Sequence, residues 1–274
     1  MNKYLLSTLG LLVVAPGLTG CDSMDNSAHE EILVVEAFLY AGEPVEDIRI
    51  TRAVSLTSED TVATPVNGAL VRLVKEGVTY SLSPVGLEGH YAYQRENLSV
   101  TAGDEFELIV EADGQTARAV TIVPSPPVNV ALSAQELEVP SFGIGRPQGV
   151  DNYLTVTWDN PDATLHYVVI ESTGTGEPTY ILPDFIRERI GRFRLVTRPT
   201  DANYYDINWR NLEEIGPHEV RVYRVNDEYA DLYENRQQDS RDLNEPPTNI
   251  RGGLGVFSAF NSRNLEFDVV RSSE

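Results

Sequence analysis

Seven short segments between residues 32 and 123 are rich in Val, Ile, Leu, Thr and Tyr, and each is closed off by Gly, Pro, Asn or Asp. They are 32–40, 48–53, 69–75, 79–82, 90–93, 106–111 and 117–123. Runs this short are strands rather than helices, and turn residues at this spacing predict a β-sandwich. In 69–75, Ala-Leu-Val-Arg-Leu-Val-Lys, inward apolar positions alternate with outward charged ones, as in a strand with one wet face. The chain has one cysteine, Cys21, so no disulfide can hold the fold together. A hydrophobic core must do so, and 41% hydrophobic residues is too high a share for a disordered chain.

Cys21 also has a distinctive position. Lys3 stands before an apolar run, 5–15; Pro16 and Gly17 break it; small residues then lead to the cysteine. That order is a secretory signal over residues 1–20. Its apolar run is about half the roughly 20 residues that cross a bilayer. Leu18-Thr19-Gly20-Cys21 resembles the bacterial lipobox, in which cleavage before the cysteine leaves a thiol that takes a diacylglycerol. Two acyl chains suffice for stable anchoring. Cys21 is therefore the expected lipid attachment site, and residues 21–30, polar and unpatterned, the expected tether.

The formal charge is −21, and −22 once a leader with one lysine and no acid is removed. Such a chain is repelled by phosphate backbones, so nucleic acid is not an expected partner. Anionic lipid heads repel it too, leaving the lipid as the attachment to the outer-membrane bilayer.

Residues 124–128, Pro-Ser-Pro-Pro-Val, form a stiff connector and the expected boundary between two domains, 31–123 and 129–274. Within the first domain, Pro65-Val-Asn-Gly-Ala-Leu-Val, Tyr80 and Gly89-His-Tyr-Ala-Tyr resemble carboxypeptidase-regulatory or prealbumin-like domains, which are small immunoglobulin-like sandwiches. In the second, Leu154-Thr-Val-Thr-Trp-Asp, Tyr167-Val-Val-Ile and the run 215–226 resemble strands of a fibronectin type III domain. His218 or Glu219 stands where that fold usually has a tyrosine, so its corner hydrogen bond is expected to be missing. The expected fold is thus mostly β, with two tandem sandwiches and an insertion over 178–205. Asn226 as N-cap, acids in the first turn and Tyr229, Leu232 and Tyr233 on one face predict a single helix over 227–236. Asn249-Ile-Arg-Gly-Gly-Leu-Gly-Val-Phe-Ser-Ala reads as a glycine turn into a buried strand, with a last strand near 265–270.

The lipobox, Val34-Val-Glu-Ala37, the Pro-Val-Asn-Gly-Ala-Leu-Val segment and the Asn-Ile-Arg-Gly-Gly-Leu-Gly-Val-Phe-Ser-Ala ending together resemble domain-of-unknown-function family 4249, putative lipoproteins of Bacteroidota. Its members tend to be encoded beside TonB-dependent receptors. The resemblance therefore implies an accessory role beside such a transporter, and brings no catalytic residues with it.

The sequence marks no catalytic, cofactor or metal site. His29, His90, His166 and His218 lie apart, without second ligands at zinc spacing. There is no Gly-x-Ser-x-Gly. The 173–176 and 252–255 glycine clusters lack the setting of a phosphate loop, and Asp159-Asn-Pro-Asp162 lacks the order of a calcium loop. The most aromatic stretch, 203–210, offers Tyr204, Tyr205 and Trp209 as a partner surface, although alternation puts half of it in a core. The expected function is a lipid-anchored envelope protein that binds and does not catalyse. A surface hydrolase such as a glycosidase, working through a carboxylate pair, and a structural or adhesion lipoprotein are the other readings.

Overall fold

The computed structural model describes residues 32–53, 63–86, 88–140, 152–182, 195–234 and 248–272. Residues 1–20, Cys21, the tether with His29, residues 183–194 of the insertion and the last two residues of the expected helix lie outside the described residues. The first half of the chain supplies β1 Leu33–Tyr40, β2 Asp47–Arg52, β3 Thr64–Pro65, β4 Leu70–Lys75, β5 Val78–Ser81, β6 Ser83–Pro84, β7 His90–Ala92, β8 Glu105–Ala112 and β9 Gln115–Ile122. The second half adds β10 Val128–Leu132, β11 Glu136–Val139, β12 Tyr153–Asp159, β13 His166–Ser172, β14 Thr179–Tyr180, β15 Leu195–Val196, β16 Tyr204–Asn208, β17 Glu214–Arg224 and β18 Leu254–Arg271. A 3-10 turn, Trp209–Asn211, and one helix, α1 Asp227–Glu234, complete the described elements. Each of the seven predicted strands is present. No helix among the described residues is long and apolar enough to cross a membrane.

The strands make three sheets. A large mixed sheet runs β15-β13-β17-β18-β1-β2-β7-β6, and it is faced by a four-stranded sheet, β5-β4-β8-β9, and a three-stranded one, β10-β12-β16. The four-stranded sheet closes one core with β1 and β2: Leu33, Val35, Leu39, Ile48, Ile50, Leu73, Phe106 and Leu108 are its centre. The three-stranded sheet closes a second core with β13, β17 and β18, built on Leu154, Val156, Trp158, Val168, Ile170, Ile207, Val220 and Phe267. Both are sandwiches in which alternate residues point inward. Residues 31–274 form one compact unit.

What fuses the sandwiches is β18. Its first part, from Leu254 to Phe260, pairs in parallel with β1. Its second, from Asn261 to Val269, pairs antiparallel with β17. Phe257 and Ala259, near the C-terminus in sequence, are therefore buried in the first core at 0% exposure. A division at 124–128 separates the two cores in sequence everywhere except this last segment. Asn261 marks the exchange of partners, with its amide donating to the carbonyl of Pro124 at 2.8 Å.

The glycine turn before β18 makes this threading possible. A Cβ on Gly252 would lie 2.3 Å from the Thr116 carbonyl oxygen, and one on Gly255 2.0 Å from that of Val35. Both have positive φ, +79° and +106°. Only glycine allows the chain to pass so close to β9 and β1.

The Pro-Val-Asn-Gly segment likewise has a mechanical explanation. The buried Tyr91 hydroxyl donates to the Val66 carbonyl at 2.7 Å and accepts from the Ala69 amide at 2.9 Å. Asn67 Oδ1 accepts the Gly89 amide at 2.6 Å. The two halves of that motif are thus stitched to each other. In the second sandwich His218 is buried, bonded through Nδ1 to the Gly216 carbonyl at 2.9 Å and stacked on Phe267 at 5.4 Å.

On the far face of the large sheet an aromatic cluster gathers Phe38 and Tyr40 from β1, Tyr167, Tyr223 and Phe260. Tyr167 stacks on Tyr223 at 4.6 Å, and Tyr229 of α1 meets Phe260 edge-on at 4.8 Å. The expected inward role of the helix is met by Tyr229. Asn226 supplies its carbonyl to the first helical amides, Tyr229 and Ala230. Its side-chain amide reaches across to the Ile122 carbonyl at 2.8 Å, which couples the helix start to the first sandwich.

Candidate functional site

Two surfaces were candidates for function. The first is a cleft of about 490 Å³ where the sandwiches meet, lined by Val120, Thr121, Ile122 and Ser125 on one side and by Arg224 and Glu228 on the other. A smaller hollow of about 200 Å³ continues it past Pro126, Asp159, Asp162 and His166. The polar groups here bond one another. Thr121 donates to Glu228 at 2.6 Å, and Arg224 to the Ser125 hydroxyl at 2.7 Å. Asn160 fixes the turn after β12, accepting the Thr164 amide at 2.9 Å and donating to the Asp201 carbonyl at 2.7 Å. The 159–162 segment is thus a pinned turn. The cleft reads as a fastened seam.

Two of the histidines, His166 and His218, serve packing. His166 and His218 are buried, and each binds through Nδ1 the carbonyl two residues before it, Thr164 and Gly216. Burial, which disfavours the charged ring, pushes both below the usual histidine value. Among the described residues no three His, Cys, Asp or Glu side chains gather in a way that could hold a metal ion.

The second surface is the outer face of the three-stranded sheet, and it contains one of the aromatics singled out from sequence. Tyr204 is 53% exposed on β16. Tyr205, one position on, points the other way and packs against the second core, where burial pushes its hydroxyl up. Trp209 is 8% exposed and belongs to that core. Of the expected trio, then, Tyr204 alone offers an exposed ring. Strand alternation separates Tyr204 from Tyr205, and the 3-10 turn folds Trp209 inward.

The structure supplies Tyr204 with a companion that the sequence did not mark. Tyr153, 49% exposed, lies on the neighbouring strand and the same face. The register pairs Tyr204 with Thr157, Asp206 with Thr155 and Asn208 with Tyr153. The two tyrosines are therefore offset by four residues along β12 and one strand across, about 14 Å apart. Between them lies a polar strip of Thr155, Thr157, Asp206 and Asn208, with Asp206 held in place by a hydrogen bond from Thr155 at 2.6 Å. The only sequence signal for Tyr153 was its phase in the alternating run 153–159.

Among the solved structures to which the chain is similar are two fibronectin type III segments. One is a two-domain segment of chicken tenascin, at 12% identity over 71% of this chain and 89% of that chain, with a TM-score of 0.22. The other comprises the FN1–FN3 domains of chicken CNTN1, at 12% identity over 88% of this chain and 65% of that chain, with a TM-score of 0.27. No curated protein matches the chain. Residues 22–266 match the family described as "Domain of unknown function (DUF4249)", and with nearly the whole body covered the chain belongs to that family.

Proposed function

We propose that this protein is a lipid-anchored accessory of the cell envelope that acts by binding, and that it serves a TonB-dependent outer-membrane transporter in nutrient uptake. The observation that carries the reading is Cys21, the one cysteine of the chain, at the end of an apolar leader and ahead of a rigid β body. The acidity of the body supports it, since a surface repelled by anionic lipid heads needs a covalent anchor. The setting beside a transporter comes from the family's tendency to be encoded with such receptors. Two sandwiches fused by one strand form a platform that presents fixed faces to a partner.

The test has two arms. Mass spectrometry of the membrane-extracted protein is expected to find Cys21 as the N-terminal residue carrying acyl chains, and Cys21→Ala is expected to move the protein out of the membrane fraction. A mild-detergent pull-down through a C-terminal tag is expected to recover a large β-barrel receptor. A mature protein without acylated Cys21, or repeated failure to recover any such receptor, overturns the proposal.

A further inference from the structure

We infer that the outer face of the three-stranded sheet is a binding platform for a neutral glycan, with Tyr153 and Tyr204 as its two stacking positions. The inference deepens the accessory-binding reading and takes its cell-surface setting from it; the ligand class follows from the face itself.

Two half-exposed tyrosines on strands of a packed sheet are held by the backbone rather than by loops, so their positions are fixed in advance. An aromatic face carries partial negative charge and attracts the weakly positive C–H groups on the flat side of a sugar ring, while the phenol hydroxyl stays wet. At about 14 Å the pair is too widely spaced for one ring, so the ligand is an oligosaccharide or polysaccharide chain lying nearly along the strands. What lies between the tyrosines fits that chemistry. Thr155, Thr157, Asp206 and Asn208 provide hydroxyl, carboxylate and amide groups for a row of sugar hydroxyls.

Two exclusions narrow the class. A protein partner needs an apolar, desolvated centre to its contact, and here the centre is the polar strip. An acidic glycan or a phosphate needs cations, and β10, β12 and β16 contain no lysine or arginine, while Asp159 and Asp206 are exposed on this face. Charge therefore excludes an acidic polymer, and the hydroxyl and amide groups between two tyrosine rings suit an uncharged one.

The experiment uses the detergent-solubilised full chain in native gels cast with hydroxyethylcellulose, xylan, mannan or starch, and in a parallel gel with acidic pectin. At least one neutral polymer is expected to retard the protein, and pectin is not. Tyr153→Ala and Tyr204→Ala are each expected to weaken the retardation about fivefold or more, which is the scale of a lost aromatic contact. Asp206→Ala is expected to weaken it as well. All three positions are exposed or lie on the wet face, and unchanged melting curves will confirm that the variants fold. No retardation by any neutral polymer, or full retardation of the double tyrosine variant, overturns the inference. Receptor recovery that depends on both tyrosines, with no glycan retardation, would identify the face as a protein interface and overturn the inference while leaving the accessory reading intact. Glycan retardation without receptor recovery would do the reverse.

Discussion

Replacing Gly255 with alanine tests the claim that β18 fuses the two sandwiches. Three costs add up. At φ +106° an L-residue sits in a region that belongs to glycine, which costs about 1–3 kcal/mol. The new Cβ would stand 2.0 Å from the Val35 oxygen and 2.8 Å from its carbonyl carbon, so the neighbour it meets is backbone and cannot swing away. The strands must separate, and Val35 and Gly255 are register partners in the β1–β18 ladder. Losing two ladder bonds at about 1 kcal/mol each brings the total to about 3–5 kcal/mol. For a body of this size that is a fall in Tm of about 6–20 °C, and a sizeable part of a total stability of about 5–15 kcal/mol. Two companion variants isolate the terms. Gly42 has φ +79° with nothing within 4 Å of its Cβ position, so Gly42→Ala should cost only the left-handed penalty, about 1 kcal/mol. Gly176 has open space and no positive φ, so Gly176→Ala should stay within about 0.5 kcal/mol of the parent. Urea unfolding monitored by tryptophan fluorescence, together with calorimetry, will rank the three. If Gly255→Ala is no worse than Gly42→Ala, the close threading of β18 against β1 is wrong.

Three further outcomes follow from the same structure. Phe257→Ala should cost about 3–5 kcal/mol, as much as Phe106→Ala, because both rings fill the first core; ending the chain at residue 253 should likewise leave 32–123 open to limited proteolysis, and a stable protease-resistant 32–123 fragment would refute the shared core. His166 and His218 are held below the usual histidine value by burial, so the unfolded chain takes up protons first as pH falls through about 6.5; stability, complete only above about pH 7.5, should drop from there downward and level off below the folded values. Urea midpoints across this range will show the slope, and NMR ring signals of either histidine titrating near 6.5 in the folded protein would contradict it.

The strands themselves were legible without coordinates, because period-two alternation and turn residues are local properties. Val71 and Leu73 had to share one face, opposite Arg72, once the run 69–75 was a strand. Tyr204, Tyr205 and Trp209 show where such reasoning stops. Alternation says that neighbours point to opposite faces, but not which face is covered, and the cover is a second sheet drawn from distant sequence. Tyr153 joined Tyr204 only through the β12–β16 register, which no single segment encodes. The last strand is the clearest case. Its glycines marked a tight turn, yet that the turn passes between Thr116 and Val35, and that Phe257 completes a core begun two hundred residues earlier, depends on long-range pairing that only the folded chain settles.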